Sequence, residues 1–277
     1  MSMQLDTWNR LTNSERVDAA IAAVKALPVR FAYSGIRTFQ SGEQKNTLAI
    51  FTYDCEEFVL IPGQTLQLGF TWERPFPLTE EETELWEMAR AEFESEISFD
   101  DYLDELLTPS RTVSLSPFLL EAQARIPGRK QVQDNPPAYL EPAVRHSQIK
   151  AELESQGFRL PTSDEWEYAC GAGAGTLYRW GDHRPLNRSP SADQNWLHAL
   201  PNAFGLTIAN NPWKWELVAE PGVMRGGDGG GMSCGGDLPY MFEWHLLATS
   251  YSYHSQTSLE DKPIFGAHVR RTVSVQL

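Results

Sequence analysis

Apolar residues recur at every third or fourth position in several segments of this chain, which is the spacing of one face of a helix. Thr12, Thr79 and Thr162 each precede a glutamate by three residues. This is the spacing of a capping box, in which the two side chains bond the backbone at a helix start. Ser98 is placed to cap a further short helix. The pattern therefore predicts helices over residues 12–27, 79–93, 98–106 and 143–156, and a helix that starts after residue 162.

Two of these helices have an apolar side that needs a partner. In the first, the residues expected to face a core are Val17, Ala20, Ile21, Val24 and Leu27, and Pro28 ends the helix. Because a short helix is stabilised mainly by packing, this side predicts contact with the rest of the protein. In the second, the predicted apolar stripe consists of Leu85, Met88, Ala89 and Phe93.

Runs of β-branched and aromatic residues predict strands. Two such runs cover residues 30–39 and 47–53 on either side of a polar turn. We interpret residues 1–54 as an N-terminal helix and strand extension. It is expected to pack on a main domain formed by residues 55–277.

The composition is that of a globular protein. With 277 residues, of which 41% are hydrophobic, the chain is long enough for one or two domains with a sizeable core. No apolar run approaches the ~20 residues that span a bilayer, and no secretory leader is apparent, so no membrane partner is predicted. The three cysteines lie at long, irregular spacing and indicate no disulfide framework, which favours a cytoplasmic location.

The net charge of −14 is concentrated in one segment. Residues 73–105 hold thirteen acidic residues and two arginines. Such a surface repels phosphates, so no nucleic acid partner is predicted. Together with the helix pattern, the charge predicts an acidic helical insertion over residues 79–107. A solvated helix face is the favoured interpretation, and a docking surface for a protein partner is the alternative.

A glycine-rich loop follows Arg225. Seven of the next eleven residues are glycine, so the backbone can take positive φ and approach a ligand closely. One interpretation is a pocket wall over residues 225–236 that presents Cys234 and Asp228, and the other is a mobile surface loop. A phosphate cradle is disfavoured because the loop lacks the Gly-Lys-Ser/Thr end of a P-loop.

Five motifs occur in order along the chain. One is the run Arg-Leu-Pro-Thr-Ser-Asp-Glu-Trp-Glu-Tyr-Ala at 159–169. The others are Phe-Val-Leu-Ile-Pro-Gly at 58–63, Tyr-Arg-Trp-Gly-Asp at 178–182, Asn-Ala-Phe-Gly-Leu at 202–206 with Trp-Lys-Trp at 213–215, and Met-Arg-Gly-Gly at 224–227 with a late Gly266 and Arg270-Arg271. This set resembles the signature motifs of the formylglycine-generating enzyme (sulfatase-modifying factor) family. The resemblance implies that family's C-type-lectin-like α+β fold.

The resemblance also implies a chemistry, and this chain departs from it. Catalytic members of the family bind copper through two cysteines a few residues beyond Arg-Gly-Gly-Ser. Two thiolates suit Cu(I), which supports oxygen-dependent oxidation of a substrate cysteine. Cys234 lies near the first position, but no cysteine lies at 239–242, where the second is expected, and Asp228 replaces the serine. We therefore predict that the copper site is lost. Other residues that could supply a second ligand are Met232, His245 and Cys55.

The remaining ligand candidates favour structural roles. Cys170 is expected to be a small buried residue, and Cys55 is expected in the core. The six histidines are dispersed and form no His-x-x-x-His, so the iron site of related sulfoxide synthases is not predicted. Glu165 and Glu167 are expected at the surface or in a helix cap.

Asn210 and Asn211 lie where relatives have an Asp-Met-x-Gly-Asn-Val-Trp-Glu-Trp turn that contributes to a calcium site. Their side-chain oxygens are weak candidate calcium ligands, because the acidic residue of the turn is replaced here by an apolar one. Trp213 and Trp215 are two positions apart and share a face in an extended segment. They either form the floor of a pocket or pack in the core.

Two classes of function follow from these residues. The preferred one is a binding or accessory module for a small molecule or a peptide, without redox chemistry. The alternative is a divergent metal- or thiol-dependent oxidoreductase centred on Cys234, acting on a cysteine-containing peptide or a small thiol. A carboxylate at Asp228 close to this sulfur would disfavour the thiolate. The ligand-binding residues expected for the module are Trp180, Trp213, Trp215, Arg225 and Gly227.

Overall fold

The structure is a computed structural model that describes residues 3–128, 143–190, 196–231, 240–254 and 262–275. Helices and strands are mixed along the chain in an α+β arrangement. No helix in these ranges is long and apolar enough to cross a lipid bilayer. The helices described are α1 (Leu5–Arg10), α2 (Asn13–Lys25), α3 (Glu80–Glu92), α4 (Phe99–Leu106), α5 (His146–Ser155), α6 (Ser163–Gly171) and α7 (Met241–His245). The strands described are β1 (Ala32–Ser41), β2 (Gln44–Tyr53), β3 (Glu56–Ile61), β4 (Gln64–Leu68), β5 (Arg111–Leu115), β6 (Phe118–Glu121), β7 (Trp215–Leu217), β8 (Val223–Arg225), β9 (Tyr253–His254), β10 (Ala267–His268) and β11 (Thr272–Ser274).

The helix starts predicted at Thr12, Thr79, Ser98 and Thr162 are confirmed. Thr12, Thr79 and Thr162 each accept a hydrogen bond from the backbone N–H three residues on, and the glutamate at that position accepts one from the threonine N–H. The Ser98 hydroxyl accepts from the N–H of Asp101 at the start of α4. Each such cap contributes about 1 kcal/mol to helix stability. Local side-chain chemistry therefore sets where these helices begin.

The main sheet has five antiparallel strands in the order β1-β2-β3-β6-β11. β2 pairs with β3, so the strands that precede residue 54 continue the sheet of the residues that follow it. Trp8 of α1 is 1% exposed and donates its indole N–H to the Thr47 carbonyl at 2.7 Å. The division into residues 1–54 and 55–277 stays a prediction, with its boundary in the turn between β2 and β3.

The buried side of α2 agrees with the predicted one except at Ile21. Ala20 and Ala23 are buried, whereas Ile21 is 44% exposed. The helix contacts β1 and β2, and the two alanines let its backbone lie close to the sheet. The expectation that Ile21 faces the core was therefore wrong, because close packing against a sheet favours the small side chains.

The acidic insertion packs through α3 and α4 onto a hydrophobic cluster that is separate from the core around the main sheet. This separate cluster is called the second cluster below. Trp86 and Ala89 are buried, and the Trp86 ring meets Phe99 of α4 edge to face at 5.1 Å. Met88 and Phe93 are 64% and 61% exposed, so the predicted stripe was wrong for these two residues. The large Trp86 ring decides which side of α3 faces inward. Further members of this second cluster include Leu103, Tyr178, Trp180 and Trp244.

One acidic residue of this insertion is buried. Glu82, the capping-box glutamate of α3, lies 2.7 Å from Nη2 of Arg184, whose side chain is 2% exposed. The other acidic residues of the helix face solvent, so the predicted solvated face is present. The ion pair between Glu82 and Arg184 connects α3 to the loop that contains Arg184. The solvent-facing glutamates are Glu80, Glu81, Glu84, Glu87 and Glu92.

A smaller sheet has the order β10-β7-β8-β9 and carries the late motifs. Glu216 of β7 is buried and accepts from Arg270 at 2.7 Å and from the Trp166 indole at 2.8 Å. β7 and β8 are antiparallel, with Glu216 opposite Arg225. As a result, the residues that follow β8 lie beside those that precede β7. This pairing places the start of the glycine-rich loop next to Trp213 and Trp215.

Candidate functional site

The described part of the glycine-rich loop, residues 226–231, lies on the indole rings of two tryptophans. It begins directly after Arg225 at the end of β8. A Cβ on Gly230 would lie 2.7 Å from the Trp213 ring, and a Cβ on Gly229 would lie 2.9 Å from the Trp215 ring. Both glycines also have positive φ. Only glycine fits this approach without displacing a ring.

The first part of the loop is held against the turn that precedes β7. A Cβ on Gly227 would lie 2.2 Å from a backbone carbonyl oxygen of that turn. The Asp228 N–H donates to the Pro212 carbonyl at 3.0 Å. The side-chain oxygen of Asn211 accepts from the Trp213 N–H at 2.9 Å and so shapes the turn. Gly227 is thus a position of close backbone packing.

The Asp228 carboxylate is used by the loop itself. Its Oδ1 accepts from the Gly230 N–H at 2.8 Å, as in an Asx turn. Glu243 of α7 lies nearby. Burial raises the pKa of Glu243, a hydrogen bond from the Ser189 hydroxyl lowers it, and the charge of Asp228 raises it again. The charge of Asp228 therefore disfavours the ionised form of Glu243.

Arg225, an expected ligand-binding residue, lies beneath the loop and is fully buried. It donates to the Ser163 hydroxyl, to the Tyr251 carbonyl and to the Glu167 carboxylate, each at 2.8 Å. Burial lowers the pKa of Arg225, and the negative charge of Glu167 opposes this shift. The guanidinium thus anchors the end of β8 to α6.

Glu167 lies neither at the surface nor in a cap, and the earlier expectation was wrong. It is 1% exposed, and its carboxylate accepts from the Gly69 N–H at 2.6 Å, the Thr108 hydroxyl at 3.0 Å and Arg111 at 2.8 Å, in addition to Arg225. These partners lie 56 to 98 positions away in the chain. The residues close to Glu167 in the sequence therefore do not indicate this hydrogen-bond network, which forms only when the chain folds.

Trp180 lies in the second hydrophobic cluster and is 7% exposed. Its ring stacks on Tyr178 at 4.9 Å and meets Trp196 and Trp244 edge to face. The structure brings the other two predicted tryptophans to the glycine loop, whereas the ring contacts of Trp180 are within that cluster.

The chain matches a known family model over more than half of its length. Residues 48–213 match the family described as the sulfatase-modifying factor enzyme 1-like domain. The chain belongs to this family. The matched segment begins within β2 and ends at Trp213, before the glycine loop. A comparison with curated proteins finds no match.

The two-cysteine copper site of catalytic sulfatase-modifying factors needs a second thiolate, and the described cysteines do not fit that role. Cys170 is fully buried in α6, as predicted, and burial raises the pKa of its thiol to about 12. Cys55 is exposed in the turn between β2 and β3. Cys234 lies outside the described residues. A thiolate pair beside the loop is therefore not supplied by either of the cysteines that the structure describes.

The expectation that Cys55 lies in the core was wrong. Tyr53 pairs with Glu56, so Asp54 and Cys55 form the two-residue turn of a hairpin. Their φ values are +51° and +67°. A hairpin turn of this kind requires positive φ at both positions. It projects beyond the end of the paired strands, and the thiol is therefore exposed.

The structure also bears on the candidate metal ligands. Within the described ranges, no three His, Cys, Asp or Glu side chains are grouped so that they could hold a metal ion. His245 is buried with its Nδ1 3.1 Å from the Tyr102 hydroxyl, and burial holds its pKa well below the ordinary value. Asn210 is half-buried beside the turn that the Asn211 oxygen shapes. Calcium at these two asparagines stays a prediction.

Proposed function

We propose that this member of the sulfatase-modifying factor family is a binding or accessory module. In this proposal a small molecule or a peptide lies on the glycine loop and its two tryptophans. The main support is the direct approach of Gly229 and Gly230 to the rings of Trp215 and Trp213. Backbone polar groups beside half-buried aromatic rings favour planar or peptide-like ligands. For the domain as a whole we propose the family's C-type-lectin-like variant of the α+β fold.

The proposed module does not use two-thiolate copper chemistry. The chain has three cysteines, of which Cys170 is enclosed in the core and Cys55 lies in a hairpin turn of the main sheet. Asp228 stands where the family has serine, and its carboxylate bonds the loop backbone. A single thiolate at Cys234 does not reproduce the two-sulfur environment that suits Cu(I).

A turnover assay tests this part of the proposal. Copper-loaded protein is expected to leave a Cys-x-Pro-x-Arg peptide unmodified, this being the substrate motif implied by the family resemblance. Mass spectrometry after incubation in air measures conversion of the peptide cysteine to formylglycine, with a catalytic family member as the positive control. Copper-dependent formylglycine at turnover levels would contradict the proposal.

Fluorine NMR of protein labelled with 5-fluorotryptophan tests the binding surface. Trp213→Phe and Trp215→Phe assign two of the nine tryptophan signals, and Trp86→Phe assigns a control signal in the second cluster. Capped dipeptides and planar heterocycles serve as probes. We expect them to shift the first two signals and to leave the control unchanged. Shifts of the control signal alone, or of no signal with any probe, would place the binding surface elsewhere.

The second candidate function is a thiol- or metal-dependent oxidoreductase centred on Cys234, with a cysteine-containing peptide or a small thiol as substrate. The glycine-rich sequence around this cysteine favours it, because glycine has no side chain that could shield a neighbouring sulfur. In a Cys55→Ser variant, iodoacetamide reports on Cys234 alone, since burial raises the pKa of the Cys170 thiol to about 12. Fast labelling near neutral pH would support the oxidoreductase, and slow labelling would support the module.

Further expectations about partners and location stay predictions. We propose a cytoplasmic protein with no nucleic acid or membrane partner. A protein partner at residues 79–107 would use Met88 and Phe93, whose side chains are largely exposed. A Met88→Ser, Phe93→Ser double variant is expected to lose such a partner without unfolding, because neither residue is buried in the second cluster.

A further inference from the structure

A cleft of about 970 Å³ lies between the start of α3, the segment that follows β4 and the loop that contains Arg184. Small-molecule sites in proteins typically occupy about 300–1,000 Å³, so this cleft has the size of a ligand site. Among the described residues, its lining includes neither the glycine loop nor Trp213 and Trp215. The proposed function therefore does not use it.

One wall of the cleft is aromatic and fixed in position. Phe70, Trp72 and Phe76 are each half-buried, and the rings of Phe70 and Trp72 stack with their centroids 5.5 Å apart. Asp100 of α4 accepts from the Trp72 indole N–H at 2.5 Å and from the Phe76 backbone N–H at 3.2 Å. These two bonds anchor the wall, which therefore offers an ordered and partly exposed apolar surface.

The rest of the lining is strongly acidic. Six carboxylates line the cleft, against one arginine. That arginine, Arg184, already pairs with Glu82 at 2.7 Å. The other five carboxylates are on exposed residues and form no ion pair within the part of the chain that the structure describes. They are Glu73, Glu80, Glu81, Glu84 and Asp182.

Neighbouring positive groups do not neutralise these carboxylates. The Arg74 guanidinium lies 5.2 Å from the centroid of the Trp72 ring, pairs with Asp104 at 2.6 Å and lines an adjacent cavity instead. His183 also lines the cleft and is exposed. The N-terminal end of α3 carries about half a positive charge, which offsets a small part of the acidic charge. The cleft therefore favours a ligand with several positive charges.

We propose that this cleft binds a linear aliphatic polyamine. Glu80 and Glu84 are one helical turn apart, which is about 6 Å along the helix axis. Amines separated by three or four methylene groups lie at a similar distance, so two ammonium groups of such a chain match the two carboxylates. The methylene groups then pack on Trp72 and Phe76 and bury apolar surface, which a compact cation cannot do. Glu73 is available for a third ammonium group.

Fluorine NMR of protein labelled with 5-fluorotryptophan tests the site, and Trp72→Phe assigns the Trp72 signal. Spermidine is the probe. Cobalt(III) hexammine is the control, because it has the same charge in a compact form without methylene groups. We expect spermidine to shift the Trp72 signal and to bind at least about fivefold more tightly than the control. Equal or tighter binding of the hexammine would overturn the proposal, because charge alone would then explain the binding.

The same spectra separate this site from the glycine loop. The Trp215 signal reports on the loop and is expected to stay unchanged with spermidine. A shift at Trp215 without one at Trp72 would place the polyamine elsewhere and contradict the proposal. Failure of the heterocycle and dipeptide probes at the loop would leave the spermidine result unaffected.

Two double variants of α3 distinguish the cleft from a general acidic surface. Glu80→Gln with Glu84→Gln removes two charges that line the cleft, and Glu87→Gln with Glu92→Gln removes two exposed charges outside it. The first is expected to weaken spermidine binding about fivefold and the second less than about twofold. Both should keep the native melting temperature to within a few degrees, because all four side chains are exposed. Equal losses of affinity would mean that spermidine is held only by diffuse attraction.

Trilysine tests the alternative ligand, a basic segment of a protein partner. It is expected to bind more weakly than spermidine, because its peptide groups interrupt the methylene chain that packs on the aromatic wall. Tighter binding of trilysine at the Trp72 signal would make a basic protein segment the ligand and refute the polyamine proposal.

Discussion

At the scale of single residues, several charged side chains of this protein are buried as glutamate–arginine pairs. Glu121, Glu167 and Glu216 are each almost fully buried. Each pairs with a buried arginine. Removing one member of such a pair leaves the other charge without compensation in a poorly solvated site. The glutamate that the family signature shares at position 167 therefore has a structural role that its sequence neighbours do not reveal.

Glu167→Gln is expected to lower the free energy of unfolding by about 3 kcal/mol, because Arg225 stays buried without its counter-charge. Urea unfolding followed by tryptophan fluorescence measures this loss. Glu87→Gln is the matched control, since Glu87 is 60% exposed and pairs with Arg90 on the surface. The control should lose less than about 0.5 kcal/mol. Similar losses in both variants would refute the buried role of Glu167.

His245 is expected to make stability depend on pH. Burial, reinforced by the positive charge of Arg184, holds its pKa well below the ordinary value. In the unfolded chain a histidine titrates near pH 6.5, at about its unperturbed value. As the pH falls below that point, the unfolded state binds a proton that the folded state does not. Stability is therefore full above about pH 6.5 and declines below it, by up to about 1.4 kcal/mol per pH unit.

His245→Phe tests this dependence, since the ring already packs against Phe99 and Phe242. The variant should show a shallower decline of unfolding free energy between about pH 6.5 and about pH 5 than the native protein. Because only the slopes are compared, a general loss of stability in the variant does not affect the result. Equal slopes would mean that His245 becomes protonated in the folded state.

At the scale of elements, helix starts and helix faces are decided differently. Capping boxes at Thr12, Thr79 and Thr162 need only residues three positions apart. The buried side of a helix depends on the surface that it meets, and α3 turns its Trp86 inward while Met88 points to solvent. The glycine loop is an element of the second kind, because its path depends on the tryptophan rings beneath it.

Gly230→Ala is expected to destabilise the protein and to reduce probe binding at the tryptophan surface. Its φ of +93° disfavours a side chain, and a Cβ would lie 2.7 Å from the Trp213 ring. The loss should exceed about 1 kcal/mol. Gly175→Ala is the control, since a Cβ there meets no neighbour within 4 Å, and its unfolding free energy should stay the same or rise. Urea unfolding of the two variants gives the comparison, and an unchanged Gly230→Ala would argue against the close approach.

At the scale of the whole molecule, one sheet joins the start of the chain to its end. β1 and β2 lie on one side of β3, and β11 lies beyond β6 on the other. The N-terminus is held on this frame, since the Leu5 N–H donates to the Gly63 carbonyl at 2.8 Å. The second cluster then connects the acidic insertion to α7. The proposed function at the glycine loop thus depends on segments from most of the chain.

Limited proteolysis tests the packed N-terminal extension. We expect no early release of an intact fragment of residues 55–277, because β2 is hydrogen-bonded to β3 and loses that partner only on unfolding. Mass spectrometry of the early cleavage products measures this. Rapid digestion of residues 1–54 that leaves a stable remainder would mean that the extension is only tethered.

The sequence by itself determined four helix starts and the family. It also showed that the cysteines differ from the family's two-cysteine copper site. Capping and motif identity depend on residues that are close along the chain. The sequence also predicted Trp180, Trp213, Trp215 and the glycine loop as one ligand-binding surface, and the structure places Trp180 in the second cluster. Tertiary structure alone decided that Ile21 and Met88 face solvent and that Cys55 is exposed. It also decided that Glu167 joins Gly69, Thr108, Arg111 and Arg225. Burial and ion pairing are set by which distant segments meet, and spacing along the chain does not contain that information.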